Sequence, residues 1–377
     1  MNSPKRWMNT KIRMNKPESL YIHIPFCEHI CHYCDFPKLQ YFSSFSNKYL
    51  KQLKKELDSY HIDHPLKTIY VGGGTPSALS LDELEELLEV IDPYTDNVVE
   101  YTFEANPESL SLDKIKLLKE HKVNRISLGV QSTQEKYLKA MNRHHSFFDV
   151  RKAIDNLIDE GIDNINVDLI LGLPNMNLRD LKMDLDNILT LPIKHISCYS
   201  LYVAPHTAFY INGVEPQDDD MMREYYDFVH YYLLDKGFIH YEVSNWAKEG
   251  YMSEHNLTYW KNEQYYGVGL GASGYIGNIR YTNTKSINQY NEGKNERNEE
   301  VVDQVSLKTY MIMTNLRTIY GLDLKKYQSL FNENLFETKG KEIAELIGNR
   351  LIELKDHKII PTYAGMMVLD QVILALL

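Results

Sequence analysis

The chain has 377 residues, of which 43% are hydrophobic and 25% charged, proportions that exclude a disordered or collagen-like protein. At roughly 150 residues per domain it makes two to three units, or one large α/β barrel with an appendage. Lys and Arg number 41 against 52 Asp and Glu, a formal charge of −11. With no basic cluster beyond the N-terminal tail, nucleic acid is not an expected partner.

Four cysteines are too few for a disulfide framework. No apolar run reaches the roughly 18 residues of a membrane span, so no integral membrane segment is expected. The tail over 1–16 carries Lys5, Arg6, Lys11, Arg13 and Lys16 without the apolar core of a secretory signal. The expectation is a reducing compartment: a cytoplasmic protein, or one at the membrane periphery.

Beyond the tail, short β-rich runs alternate with helical ones. Residues 20–25, 68–71, 100–105, 124–130, 165–171 and 195–201 read as strands. Ser80 to Glu83 reads as a capping box, opening a helix with Leu81, Leu84, Leu87, Leu88 and Ile91 on one face. Helical periodicity recurs over 111–119 and 150–159. Six strand–helix units predict parallel strands joined by crossover helices. Six units instead of eight predict a partial, TIM-like (β/α)6 barrel with a lateral opening.

The barrel is expected over 17–215 and a β-containing extension over 216–300, with a helix at 219–235, a strand at 239–244 and glycine-rich turns at Gly267, Gly269, Gly271 and Gly274. NEGKNERNEE, 291–300, has no apolar side chain and reads as a linker. A small helical domain with a short β element near 359–362 follows over 301–377, and its apolar end, 366–377, reads as a buried helix.

CEHICHYC, 27–34, sets Cys27, Cys31 and Cys34 just past Pro25, where the first strand must end. Three thiolates on one loop at a barrel mouth can hold a metal centre. Zinc would want a fourth ligand, which His29 or His32 offers. A [4Fe–4S] cluster held by three cysteines keeps one iron open.

The spacing C-x₃-C-x₂-C resembles the radical S-adenosylmethionine (SAM) superfamily, in which SAM chelates the open iron and is cleaved by an electron from the cluster. YIHIPFCEHICHYCDF (21–36), GGGTPS (72–77), EANP (104–107), RISLGVQS (125–132), NVDLILGLP (166–174), YEVSNWA (241–247), HNLTYW (255–260) and GVGLGASGY (267–275) are similar to oxygen-independent coproporphyrinogen dehydrogenase and its heme-chaperone relatives. The resemblance covers about residues 20–375. It implies the radical SAM form of the partial barrel, a winged-helix-like C-terminal domain, and a [4Fe–4S] cluster on the three cysteines.

Gly73, Gly74 and Thr75 follow a strand, and glycine lets backbone approach a neighbour closely. The resemblance makes this turn a cradle for SAM. It also implies SAM contacts at Tyr21, Tyr33, Glu104, Gln131, Arg143 and Asp168. Carboxylates and amides at strand ends can accept from hydroxyls or an ammonium, and Arg143 could clamp a carboxylate. His255 opens HNLTYW; an imidazole can ligate heme iron, and in the chaperone relatives this motif is the proposed heme site. Cys198, midway along a strand, is expected to be a small buried hydrophobe.

The dehydrogenase motif carries a further cysteine two positions beyond the third; here that position is Phe36. Cys-Asp-Phe and HNLTYW both match the heme-chaperone relatives. The resemblance therefore implies a protein that binds heme and passes it to an acceptor apoprotein, with a reductant protein as partner for the cluster. The alternative is an enzyme that oxidatively decarboxylates coproporphyrinogen III.

Overall fold

The computed structural model describes residues 16–377, so the tail expected over 1–16 lies, apart from Lys16, outside the described residues. The six strands expected from the pattern form in order: β1 (Ser19–Ile24), β2 (Thr68–Gly73), β3 (Glu100–Ala105), β4 (Arg125–Gln131), β5 (Asn164–Leu171) and β6 (His195–Ser200). Each pairs in parallel with the next, with registers such as Leu20↔Ile69, Ile69↔Tyr101, Phe103↔Ile126 and Val167↔Ile196.

The crossovers are helical: α1 (Ser43–Ser59), α2 (Leu81–Ile91), α3 (Leu112–Glu120), α4 (Phe147–Asp159) and α5 (Leu178–Ile188). At α2 the Ser80 hydroxyl accepts from Glu83 N at 3.3 Å, while the Glu83 carboxylate accepts from Ser80 N at 3.0 Å, the reciprocal capping box. Leu84, Leu87, Leu88 and Ile91 are buried against the sheet. Leu81, expected on the same face, is 42% exposed; it stands at the first helical position, before the stripe turns inward.

The extension adds α6 (Asp219–Asp235) and then β7 (Ile239–Glu242) and β8 (Asn245–Ala247), antiparallel to each other and continuing the sheet beyond β6. The single strand expected over 239–244 is thus a hairpin whose tip falls at Val243-Ser244. A second departure lies in the glycine-rich segment. Tyr266–Val268 is β9, a seventh parallel strand paired to β1. Its glycines allow close packing and do not end the strand: a Cβ on Gly267 would run into the Ser273 carbonyl. The sheet order is β9-β1-β2-β3-β4-β5-β6-β8-β7, with β9 and β7 as end strands that do not pair with each other, so the barrel stays open.

The expected linker is tied down. Its end belongs to β12 (Asn298–Val301), which pairs with β11 (Ile279–Thr282), itself paired with β10 (Ser273–Ile276). Every residue of β12 is exposed, which is why its composition reads as a linker. What holds it is Glu56, buried on α1. Its carboxylate accepts from Gly269 N (2.9 Å), Tyr290 Oη (2.6 Å), Asn283 Nδ2 (2.7 Å), Asn295 Nδ2 (3.0 Å) and Arg297 Nη2 (3.3 Å).

The C-terminal unit has its own core of Ile312, Leu322, Tyr327, Ile343, Ile359 and Val372. Helices α8 (Gln304–Asn315), α9 (Leu324–Phe331), α10 (Leu335–Gly348) and α11 (Leu369–Leu376) pack on a sheet of β13 (Leu322–Asp323), β15 (Lys358–Pro361) and β14 (Ile352–Lys355). Backbone bonds Val243 N→Arg317 O (3.1 Å) and Ile319 N→Tyr241 O (3.0 Å) attach it to the β7 edge. As expected for the apolar end of the chain, Leu369, Val372, Ile373 and Leu376 are buried. Among the described residues no helix is long and apolar enough to cross a membrane.

Glu56→Ala strands several buried donors at once, each costing about 1–3 kcal/mol. The expected outcome is a loss of about 3 kcal/mol or more of stability in denaturant unfolding, with early proteolysis within 264–301. Unchanged stability would show that the carboxylate does not hold this segment.

Candidate functional site

Pro25 ends β1, and the chain turns out to carry the cysteines. Leu39 N→Pro25 O (2.7 Å) and Tyr41 N→Cys27 O (2.8 Å) close the base of the loop. Phe26 anchors it, fully buried and edge-on to Tyr49 at 5.3 Å between ring centroids. A turn from Cys34 N to Cys31 O (3.3 Å) folds the tip. Cys27, Cys31 and Cys34, all free thiols, line one cavity of about 350 Å³ at the carboxyl ends of the strands.

Burial pushes the Cys27 thiol up to about 12, and burial also raises Cys34. Cys27 and Cys34 therefore hold their protons at neutral pH, and a metal centre binding them must displace those protons. Each imidazole that zinc would recruit has a contact outside the thiol trio. His32 Nδ1 bonds to Ala140 O at 2.9 Å, and His29 stacks on His144 at 3.8 Å. Among the described residues no three His, Cys, Asp or Glu side chains gather around a single ion position.

The triple-glycine turn is stitched directly to the cysteine strand: Gly74 N→Ile24 O is 2.8 Å and Thr75 N→Phe26 O is 2.8 Å. The Thr75 hydroxyl lies 3.5 Å from Cys27 Sγ. Gly73, Gly74 and Thr75 line the cavity. The space a side chain would need is taken by protein, however. A Cβ on Gly74 would sit 2.7 Å from the Pro25 carbonyl carbon, and one on Gly73 (φ +115°) would strike the His23 ring. These glycines fit the turn to the cysteine strand.

Glu104, half-buried on β3, accepts from Tyr70 Oη (2.6 Å) and Gly73 N (2.8 Å). Burial pushes its carboxyl up to about 7 in spite of both bonds. Asp168, on β5, accepts from Asn166 Nδ2 (2.8 Å) and Ser127 Oγ (3.1 Å), and burial raises it too. Gln131 ends β4 at φ +67° beside a register shift, and its side chain lines the cavity; few residues other than glycine adopt that backbone.

Arg143 does not stand free as a carboxylate clamp. Its Nη2 donates to Asn106 Oδ1 at 2.9 Å and to the Gly129 carbonyl, and its Nη1 lies 3.7 Å from Cys31 Sγ. It sets positive charge beside a thiol. Tyr33 lines the cavity as expected. Tyr21 does not; its hydroxyl bonds to His23 Nδ1 at 2.9 Å and its ring packs by Tyr70.

His255 is the clearest departure. It lies on α7 (Glu254–Trp260), fully buried, with Nδ1 2.8 Å from Thr68 Oγ1 and Nε2 2.7 Å from Tyr259 Oη. Burial drives its pKa down to about 3, so the ring is neutral. Glu254 N and His255 N donate to Glu100 at 2.8 and 3.0 Å. Thr68 and Glu100 open their strands, so α7 closes the end of the barrel opposite the cysteines. In this conformation neither ring nitrogen is open to heme iron. The ring instead packs on Tyr70 (5.1 Å), whose hydroxyl holds Glu104.

Several cavity residues were not singled out from the sequence. Arg125, Ser127 and Gly129 alternate along β4 up to Gln131, Asn166 and Ile170 flank Asp168 on β5, and Ser197 and Tyr199 alternate along β6. That period of two was the available signal. Arg125 is buried, with Nε unpartnered and Nη1 only 3.4 Å from Thr102 Oγ1.

Residues 21–188 match the Radical SAM superfamily, and residues 310–368 match the HemN C-terminal domain. The chain is 39% identical to a "Heme chaperone HemW" of Lactococcus lactis, over 90% of this chain and 92% of that one. It is 37% identical to the Bacillus subtilis protein of that name, over 94% and 98%. Among solved structures, coproporphyrinogen III oxidase (HemN) from Escherichia coli superposes with a TM-score of 0.82 at 19% identity, over 96% of this chain and 90% of that one, a likeness of fold. Matched across most of its length at these identities, the chain belongs to the HemW family of the radical SAM superfamily.

Proposed function

We propose that this protein is a heme chaperone: it takes up heme and passes it to an acceptor apoprotein, carrying a [4Fe–4S] cluster on Cys27, Cys31 and Cys34 and SAM in the adjoining cavity. The observation that carries this reading is Phe36, an exposed phenylalanine on the cavity where the decarboxylating relatives place a further cysteine. The name shared by the relatives from Lactococcus lactis and Bacillus subtilis supports it.

The donor set fits the two groups. Three free thiols on one loop suit a cluster with one iron left open. The carboxylates of Glu104 and Asp168 make an acidic wall that suits the ammonium and sulfonium of SAM. When bound, the pair supplies one-electron chemistry at the open iron. The chain's own part is positional. Tyr70 and Gly73 N fix the Glu104 carboxylate, Asn166 and Ser127 fix Asp168, and Arg143 offsets charge at Cys31. Further partners in this reading are a reductant protein and the heme acceptor, in the cytoplasm.

Anaerobic reconstitution is expected to load about four irons per chain, with the broad visible absorbance lost in Cys27→Ala. Added hemin is expected to give a saturable Soret band, and coproporphyrinogen III with SAM and reductant to give no protoporphyrinogen. Robust turnover in that assay would falsify the chaperone reading in favour of the enzyme.

SAM affinity is expected to follow the Glu104 carboxylate. Protonation below about 7 removes a negative charge facing a cationic ligand. Binding measured by equilibrium dialysis should therefore weaken as pH falls through neutrality and level off above it. Glu104→Gln should flatten that profile at the weak end.

A further inference from the structure

The mouth of the cavity differs in chemistry from its interior. Phe36, Tyr199 and Tyr202 all line it, with 63%, 43% and 69% of their surfaces accessible. Phe36 comes from the cysteine loop. Tyr199 is the last but one residue of β6, and Tyr202 lies on the loop that follows. That loop is fastened to the cysteine loop by Phe209 N→His32 O at 2.9 Å. Apolar surface gathered at a cleft in this way marks a ligand or partner site.

Charge selects the occupant. Deeper in, Glu104 and Asp168 repel carboxylates. At the rim Lys38 and Asp35 both line the same cavity; the Lys38 ammonium meets only the backbone carbonyls of Cys34 and Phe36 (3.5 Å), with no carboxylate partner among the described residues. Aromatic faces beside a lysine that lacks a carboxylate partner suit a flat apolar ring that carries carboxylates on one edge.

We propose that the heme of the function proposed above docks at this mouth, its ring against Tyr199, Tyr202 and Phe36 and its propionates on the Lys38 side, next to the thiol trio. The sealed imidazole of His255 is not its resting ligand. This placement rests on the chaperone reading and adds a binding surface on the cluster side of the barrel.

The test is titration of the full-length, cluster-loaded protein with hemin and, separately, with metal-free protoporphyrin IX. Both should bind, since stacking holds the ring. Tyr199→Ala/Tyr202→Ala should weaken each by about tenfold or more, and Lys38→Ala should weaken both by a smaller factor. Phe36→Ala, at a highly exposed position, gives a second reading if the double variant folds poorly, and iron content per chain verifies the loop in each. Leu374→Ala, exposed on α11, should titrate like the unaltered protein. Hemin affinity unchanged in the aromatic variants overturns the placement, as does loss of the Soret band in His255→Gln alone. Absence of saturable hemin binding by the unaltered protein removes the chaperone reading itself.

Discussion

The contact on which the rest of the site depends is the backbone pairing of the triple-glycine turn with the strand that carries Cys27. Gly74 N and Thr75 N reach the carbonyls of Ile24 and Phe26, extending the β1–β2 ladder past the end of the regular sheet. Pro25 and His23 fill the space that side chains at Gly74 and Gly73 would occupy. The thiols and the cavity wall therefore move as one piece, and position is inherited from the sheet, the most rigid part of the fold. A loop tethered only at its ends could not hold three sulfurs facing a common cavity.

Charge divides that cavity. Glu104 on β3 and Asp168 on β5, both half-buried, stand on either side of β4, and Arg125 on β4 between them has no carboxylate hydrogen bond. It moderates the negative field without cancelling it, and burial leaves the Glu104 carboxyl near neutrality. Desolvation outweighs two good hydrogen bonds there because the ionised form loses its water on every side. The rim, built from aromatic side chains and Lys38, is a separate environment within the same opening.

The opposite end is shut by α7. Glu100 takes the amides of Glu254 and His255, while Thr68 and Tyr259 take both nitrogens of the His255 ring. From that floor a contact path of His255, Tyr70, Glu104 and Gly73 N runs up to the glycine turn. A motif that reads as a ligand site from its residue types is, in the folded chain, a plug whose polar groups are spent on the barrel.

The alternation of β-rich and helical runs, the capping box at Ser80 and the end of the first strand at Pro25 were legible in the sequence, because each depends on neighbours a few residues away. So were the thiol trio and the inward-facing Glu104, Gln131 and Asp168, which spacing and strand ends locate. The order of the last strands was not legible. Tyr266–Val268 joins β1 across more than two hundred residues, and Asn295 and Arg297, which lead into 298–301, are held by a carboxylate on α1. Burial of His255 and the position of Tyr21 behind the cavity wall are likewise tertiary facts: residue type states what a side chain can bind, and only the packed neighbours decide whether its polar atoms remain free to do so.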